Sequence, residues 1–338
     1  MIKVGVVGYG VIGQRLADGV MLQKDMKLVG VADVGPTLAV MALEEKGMIY
    51  DFYLAAPENR EKLEQYGIPI AGSLEELVQK VDVVLDATSA GVGAKNKQIY
   101  AKYGKKAVFQ GGEKTSVADV FFHGYANYEQ GLGKQFLKLT SCNTTGLIRS
   151  VDCLDRVMGI DNVIITIIRR VADPGDYHRG LTNALQIEPV PNHQAEDLML
   201  IMPHIKATGV LVHTPVTHGH IISVVAKPKR ATTKEEILKL FNAHPRIRVV
   251  RLADGFLGNA SLFRYARDLG NLRGDMYDIA VWDETITVFE DQIIFAINIP
   301  QEAVVIPESI DAIRASMEMQ TDRLEAVGLT NQYLKLGR

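Results

Sequence analysis

The sequence predicts an α/β chain: a doubly wound parallel sheet in the first half, then an α+β domain built on a mainly antiparallel sheet. Three observations predict it. Short apolar runs alternate with helical patterns through the first 140 residues. A glycine-patterned turn joins the first run to the first helix, and from residue 162 onward long β-branched runs follow with few helices between them.

Residues 2–7, IKVGVV, are short, apolar and β-branched, as a strand buried on both faces must be. G8-Y-G-V-I-G13 comes next, and then QRLADGVMLQ (14–23) carries helical periodicity. The G-x-G-x-x-G pattern therefore lies between a strand and a helix, the setting that gives it meaning. There Gly8 allows a tight turn, Gly10 lets a pyrophosphate approach the backbone, and Gly13 permits close helix packing. The helix N-terminus would face the phosphates. Taken alone, the glycines also admit a tight strand–helix turn with no ligand.

The next strand, KLVGVAD (27–33), ends in Asp33. About twenty residues beyond the glycines, a carboxylate would bond the ribose hydroxyls of NAD and repel the 2′-phosphate of NADP. Further strands are expected at VDVVLDAT (81–88) and KKAVFQGG (105–112), and helices at SLEELVQK (73–80) and AKNKQIYAKYG (94–104). Ser73 and Glu76 form a capping-box pattern. This alternation is that of a Rossmann-type sheet, which binds ligands beyond the carboxyl ends of its strands. Thr88, Ser89 and Gly112 are thereby candidate cofactor contacts.

The second half supplies chemistry. LTSCNTTGL (139–147) puts Cys142 at the mouth of a helix that LIRSVDCLDRVMG (147–159) continues to Gly159. Unpaired N–H groups and the macrodipole there favour an anion, so a thiolate is stabilised. Ser141, Asn143, Thr144 and Thr145 are good caps and good donors to an oxyanion. An ordinary helix cap that happens to contain cysteine is the competing reading. Cys153 lies about 16 Å further along that helix, too far to bridge. It sits among Val151 and Leu154 and reads as core.

NVIITIIRR (162–170), GVLVHTPVTHGHIISVVAK (209–227), ITVFE (286–290) and QIIFAINIP (292–300) are β-rich, with a helix expected at ATTKEEILKLFNAH (231–244). Within H213-T-P-V-T-H-G-H220, His218 and His220 stand two apart, which on a strand places both on one face. An imidazole there suits a base for a thiol nucleophile. A metal pair or solvated histidines are the alternatives, but no further ligands stand at zinc-like spacing. Arg169, Arg170, Arg179 and the stretch P191-N-H-Q194 are candidate holders of an anionic substrate.

Composition narrows the class. The 338 residues favour two domains. Hydrophobic content of 47% and charged content of 23% are those of a globular protein, and a net charge of −3 with mixed signs argues against a nucleic-acid surface. Two cysteines make no disulfide framework. The start, MIKVGVVGYG, has no signal-peptide pattern, and no apolar run is long enough for a membrane span. A cytoplasmic setting is expected.

Several of these stretches resemble the archaeal-type phosphorylating glyceraldehyde-3-phosphate dehydrogenases, across essentially the whole chain. They are GYGVIGQR (8–15), GVGAKNKQIY (91–100), AVFQGGEK (107–114), SCNTTGL (141–147), IRRVADP (168–174), THGH (217–220) and VIPESIDAIRA (305–315). The resemblance implies Cys142 as nucleophile and His218 as its base. It implies cofactor contacts at Val11, Ile12, Gly112, Arg170 and Gln301. Ser141 to Asn143 and His193–Gln194 would meet the aldehyde and the phosphate.

It also implies a homotetramer and a C-terminal helix (308–325) packed back on the nucleotide domain; no metal is expected, as the ligand spacing already indicates. The expected division is 1–140 for NAD(P), 141–300 for catalysis, and a helical segment at 301–338. Three positions depart from the family. Paired histidines are usual where this chain has His193-Gln194, and neutral Gln194 offers no charge to phosphate. Asn is usual at Val7. Basic residues consistent with NADP are missing from A32-D-V-G-P36, which favours NAD as Asp33 does. Two other readings stay open: an aspartate-semialdehyde-type dehydrogenase, and a non-catalytic NAD-binding protein.

Overall fold

The computed structural model describes residues 1–170 and 185–337. They form two compact units, one of Met1–Thr140 with Ile306–Leu334 and one of Ser141–Val305 with Lys335–Arg338. Arg179 lies outside the described residues.

The first unit runs β1 (Ile2–Val7), α1 (Val11–Met21), β2 (Met26–Asp33), α2 (Leu38–Glu45), β3 (Asp51–Leu54), α3 (Arg60–Gln65) and β4 (Gly72–Ser73). It continues with α4 (Leu74–Lys80), β5 (Val83–Asp86), α5 (Val92–Lys102), β6 (Lys106–Phe109), β7 (Val120–Phe122) and β8 (Phe136–Leu139). All pair in parallel, in the order β4-β3-β2-β1-β5-β6-β8-β7. Helices cover both faces of such a sheet, which is why its strands are nearly unbroken apolar runs: Val4, Val6, Val83, Val84 and Leu85 are all fully buried. The capping box forms, with Glu76 Oε2 accepting the Ser73 N–H at 2.6 Å and Ser73 Oγ accepting the Glu76 N–H at 3.3 Å. The chain leaves β1 toward β2 and, after β4, crosses back to place β5 on the other side of β1. That makes its carboxyl end the switch point where a ligand crevice opens.

The second unit starts with α6 (Cys142–Met158), β9 (Ile160–Arg170), β10 (Gln186–Ile187), α7 (His193–Ile201), β11 (Lys206–Thr214) and β12 (His220–Pro228). Then come α8 (Lys234–Ala243), β13 (Ile247–Val250), α9 (Asn259–Asp268), β14 (Ile279–Trp282), β15 (Thr287–Phe289) and β16 (Gln292–Ile299). Its sheet, β10-β11-β9-β12-β16-β14-β13 with β15 beside β16, is mixed. Pairs β9–β11 and β13–β14 are parallel and the others antiparallel.

Alternation along β9 sends Val163, Ile165 and Ile167 inward, while Ile164 and Ile168 stay 47% and 41% exposed. Fully buried Arg149 ties α6 to the chain around it, donating to the carbonyls of Tyr277 and Val304 at 2.6 Å each. The chain then returns to the first unit as α10 (Ile306–Ser316) and α11 (Arg323–Tyr333). There α10 packs on α1 and β8, and buried Arg314 bonds both carboxylate oxygens of Asp25 at 2.9 Å. No helix among the described residues is long and apolar enough to cross a membrane.

Candidate active site

In the first unit the glycine motif turns β1 into α1. Gly8 has a φ of +86°, and a Cβ on Gly13 would stand 1.9 Å from the Gly8 carbonyl oxygen. Gly10 is the N-cap of α1, with open space around it, no side-chain cap and no acid in the first turn. The helix thus presents its first backbone N–H groups, those of Val11, Ile12 and Gly13, to an uncrowded site where an anion is favoured.

Asp33 closes β2 beside it. One carboxylate oxygen accepts the Tyr9 N–H at 2.8 Å and the other the Val34 N–H at 2.6 Å. Burial raises the Asp33 pKa, and those two backbone bonds oppose the rise. Since all strands run in parallel, Thr88, Ser89 and exposed Gly112 follow β5 and β6 at that same edge, with Thr88 bonded to Asp86 through its N–H at 3.0 Å. A backbone cradle that a Cβ would fill, with a carboxylate at the next strand end, fits a dinucleotide.

In the second unit Cys142 is the first residue of α6 and half-buried. Ser141 caps the helix, its Oγ accepting the Thr144 N–H at 3.3 Å. The Thr144 hydroxyl in turn donates to Asp197 at 3.0 Å, and Asn143 is buried beside them. Asp197 was not expected from the sequence. It comes from α7, a contact that no local pattern announces.

The imidazole that meets the thiol is His220, with Nε2 3.6 Å from Cys142 Sγ. His218, expected as the partner, is exposed; its ring lies 4.5 Å from that of Phe263 and its Nδ1 bonds the Thr217 hydroxyl at 2.8 Å. The shared-face argument needs both histidines inside a strand. Here β12 begins only at His220, and Gly219 has a φ of +67°, a left-handed residue that breaks the alternation. Cys153 is the opposite of a nucleophile: burial pushes its pKa up to about 12, and its Sγ faces the Leu240 carbonyl at 3.7 Å.

The expected substrate residues His193 and Gln194 open α7, whose N-cap Asn192 accepts the Ala195 N–H at 3.0 Å. Gln194 is buried and bonds the His193 ring at 2.6 Å. Glu188 gathers three basic groups, namely His213 at 2.7 Å, Arg169 at 3.7 Å and His193 at 3.8 Å. Arg170 points the other way and is buried, donating to the Thr217 carbonyl at 2.8 Å and to Glu302 at 3.3 Å. Arg170 and Gln301 line one cavity of this unit together with His218 and Asn298.

With these geometries in place, the comparisons with known proteins are informative. Residues 141–285 match the family described as glyceraldehyde 3-phosphate dehydrogenase, C-terminal domain, and residues 2–111 match dihydrodipicolinate reductase, N-terminus. Glyceraldehyde-3-phosphate dehydrogenase 2 of Methanosarcina barkeri is 38% identical over 99% of this chain and 98% of its own length. The Thermococcus sibiricus glyceraldehyde-3-phosphate dehydrogenase is 41% identical over 98% of each chain. The chain belongs to the archaeal-type glyceraldehyde-3-phosphate dehydrogenase family. Aspartate semialdehyde dehydrogenase II from Vibrio cholerae superposes with a TM-score of 0.64 over 94% of this chain and 98% of that one. At 14% identity that likeness is one of fold alone. Within this glyceraldehyde-3-phosphate dehydrogenase family member, the segment 141–285 holds Cys142, His220 and His193–Gln194, so the thiol–imidazole pair lies in the portion that matches the C-terminal domain.

Proposed function

We propose that the chain catalyses the phosphorylating oxidation of glyceraldehyde 3-phosphate to 1,3-bisphosphoglycerate. The observation that carries this reading is Cys142 at the first residue of α6, 3.6 Å from a buried imidazole. The α6 N-terminus favours the thiolate, which attacks the aldehyde carbon and holds it as a thiohemiacetal. When bound, NAD(P) supplies the two-electron acceptor that takes this adduct to a thioester. Inorganic phosphate then attacks the thioester carbonyl, and the Cys142 thiolate leaves.

Ser141 and Asn143 flank the sulfur and are suited to position the carbonyl oxygen. His193 is assigned to the substrate phosphate. Gln194, neutral and turned onto His193, adds no charge there. Val11, Ile12 and Gly13 would hold the pyrophosphate, and Asp33 would select NAD over NADP. Arg170 and Gln301 are assigned to the cofactor from the second unit's cavity. The exposed apolar row of Ile164, Ile168 and Val210 on the β9–β11 face supports self-association, which we take to be a homotetramer in the cytoplasm.

The test is a steady-state assay with glyceraldehyde 3-phosphate, with and without phosphate, using each nucleotide. Phosphate-dependent reduction that Cys142→Ser abolishes is the expected result. Turnover of aspartate semialdehyde alone, or near-normal turnover by Cys142→Ser, would overturn it.

A further inference from the structure

A row of ionisable side chains crosses the second sheet beside the thiol. Ile222 of β12, Ile167 of β9 and Leu211 of β11 are paired and fully buried on one face. Two residues further toward the same edge, that face carries His220, Arg169 and His213. His220 is the ring that meets Cys142, 3.6 Å from its Sγ. Neighbouring strands lie about 5 Å apart, so Arg169 stands one strand and His213 two strands from that ring. The electrostatics agree with this placement. Burial, followed by the positive charges of Arg170, Arg169 and His213, holds the His220 pKa well below the ordinary imidazole value.

Glu188 faces this row. It follows β10, and its backbone N–H donates to the Leu211 carbonyl at 3.1 Å. Its carboxylate meets three basic groups but hydrogen-bonds one of them. A carboxylate only accepts, so His213 Nε2 donates to it, at 2.7 Å. Arg169 and His193 stand at 3.7 and 3.8 Å, beyond hydrogen-bond length. A phosphoryl group presents three terminal oxygens and a second negative charge, enough to bond all three donors. Arg169 and His213 are also cross-strand partners, so two basic groups lie side by side and call for an anion between them. Of the four side chains His213 is the least exposed, at 19%, and His193 the most, at 48%, so a ligand reaches them from solvent.

We propose that Arg169, His193 and His213 form a site for a phosphoryl dianion, and that Glu188 occupies it until the anion displaces that carboxylate. This rests on the thiol chemistry proposed above, which puts a triose phosphate on Cys142. Gln194 adds no charge beside His193, and His213 supplies the second basic contact from β11 instead. Partly exposed ion pairs contribute little to stability, so Glu188 is released at little cost. An aldehyde without a phosphoryl group gains nothing by displacing it, so the carboxylate also selects for the phosphorylated substrate.

Calorimetric titration of the free protein with inorganic phosphate tests the site. Glu188→Gln should bind phosphate at least fivefold more tightly, a gain that a misfolded variant cannot produce, and His213→Ala at least tenfold more weakly. The double variant should lose the gain. Unchanged or weaker binding in Glu188→Gln overturns the proposal, as does unchanged binding in His213→Ala. So does the absence of phosphate binding from both the unaltered protein and Glu188→Gln.

In turnover, His213→Ala should raise a KM at least tenfold while kcat stays within about threefold. A rise confined to glyceraldehyde 3-phosphate gives the site to the substrate's own phosphate, and one confined to inorganic phosphate gives it to the attacking phosphate. A rise in neither overturns the proposal. Phosphate binding that follows these variants in a protein unable to turn over glyceraldehyde 3-phosphate would instead sink the proposed substrate and leave the anion site standing.

Discussion

Gly13 lies so close to Gly8 that a Cβ added to it would stand 1.9 Å from the Gly8 carbonyl oxygen, whereas a Cβ on Gly10 would meet nothing within 4 Å. The two glycines therefore fail differently when changed. Gly13→Ala forces β1 and α1 apart and should cost the first unit about 1–3 kcal/mol, as overpacking does. Gly10→Ala should leave the melting temperature unchanged but fill the space before the α1 N-terminus, weakening NAD binding at least tenfold. Calorimetric melting and NAD titration of both variants separate these effects; an undisturbed NAD affinity in Gly10→Ala would remove the phosphate from this loop.

Asp33 holds the Tyr9 and Val34 N–H groups, and the proposed function adds a second role for it, at the adenosine ribose. Asp33→Ser keeps an acceptor but removes the charge. The ratio of kcat/KM for NADP to that for NAD should rise at least tenfold, with about 1–2 kcal/mol of stability lost from the weakened backbone bonds. An unchanged ratio with lower stability would make Asp33 only a clasp for the glycine loop.

The two thiols should differ sharply toward iodoacetamide. With its pKa pushed up to about 12 by burial and, secondarily, by Asp152, Cys153 holds roughly one thiolate in 10⁵ at pH 7. Cys142, at a helix N-terminus, should be labelled at least a hundredfold faster. Mass spectrometry of partly labelled protein reads this directly, and comparable rates at the two sites would contradict an activated Cys142.

Much of this was legible in the sequence because local signals coincide with tertiary roles. IKVGVV, GYGVIG and the Ser73–Glu76 box each announce their element through residue type alone, and the small polar residues around Cys142 announce a helix start. Other features needed the third dimension. In the sequence the stretch from Pro191 to Gln194 is only a polar candidate for an anion, yet Asn192 is the cap of α7 and Gln194 is buried. The polar residues Glu308, Ser309, Asp311 and Arg314 hide how completely α10 is enclosed. Choosing between His218 and His220 turned on one torsion, the +67° φ of Gly219, which periodicity cannot supply.

The depressed pKa of His220 sets a pH dependence of stability with a definite sign. A histidine whose folded pKa lies well below its unfolded value of about 6.5 stays neutral in the fold, while the unfolded chain takes up a proton below that pH. The unfolded state then binds more protons, so the stability contribution is complete above about pH 6.5. It falls as pH drops, by up to roughly 1.4 kcal/mol per pH unit, until the folded pKa is reached. His220→Gln removes this group from the titration. Between pH 7.5 and pH 5.5 the stability of the second unit should therefore fall less in the variant, by about 1 kcal/mol. The single tryptophan, Trp282, is buried in that unit and reports its urea unfolding. Identical pH slopes for wild type and His220→Gln would mean that the ring gains its proton in the fold as easily as in the unfolded chain.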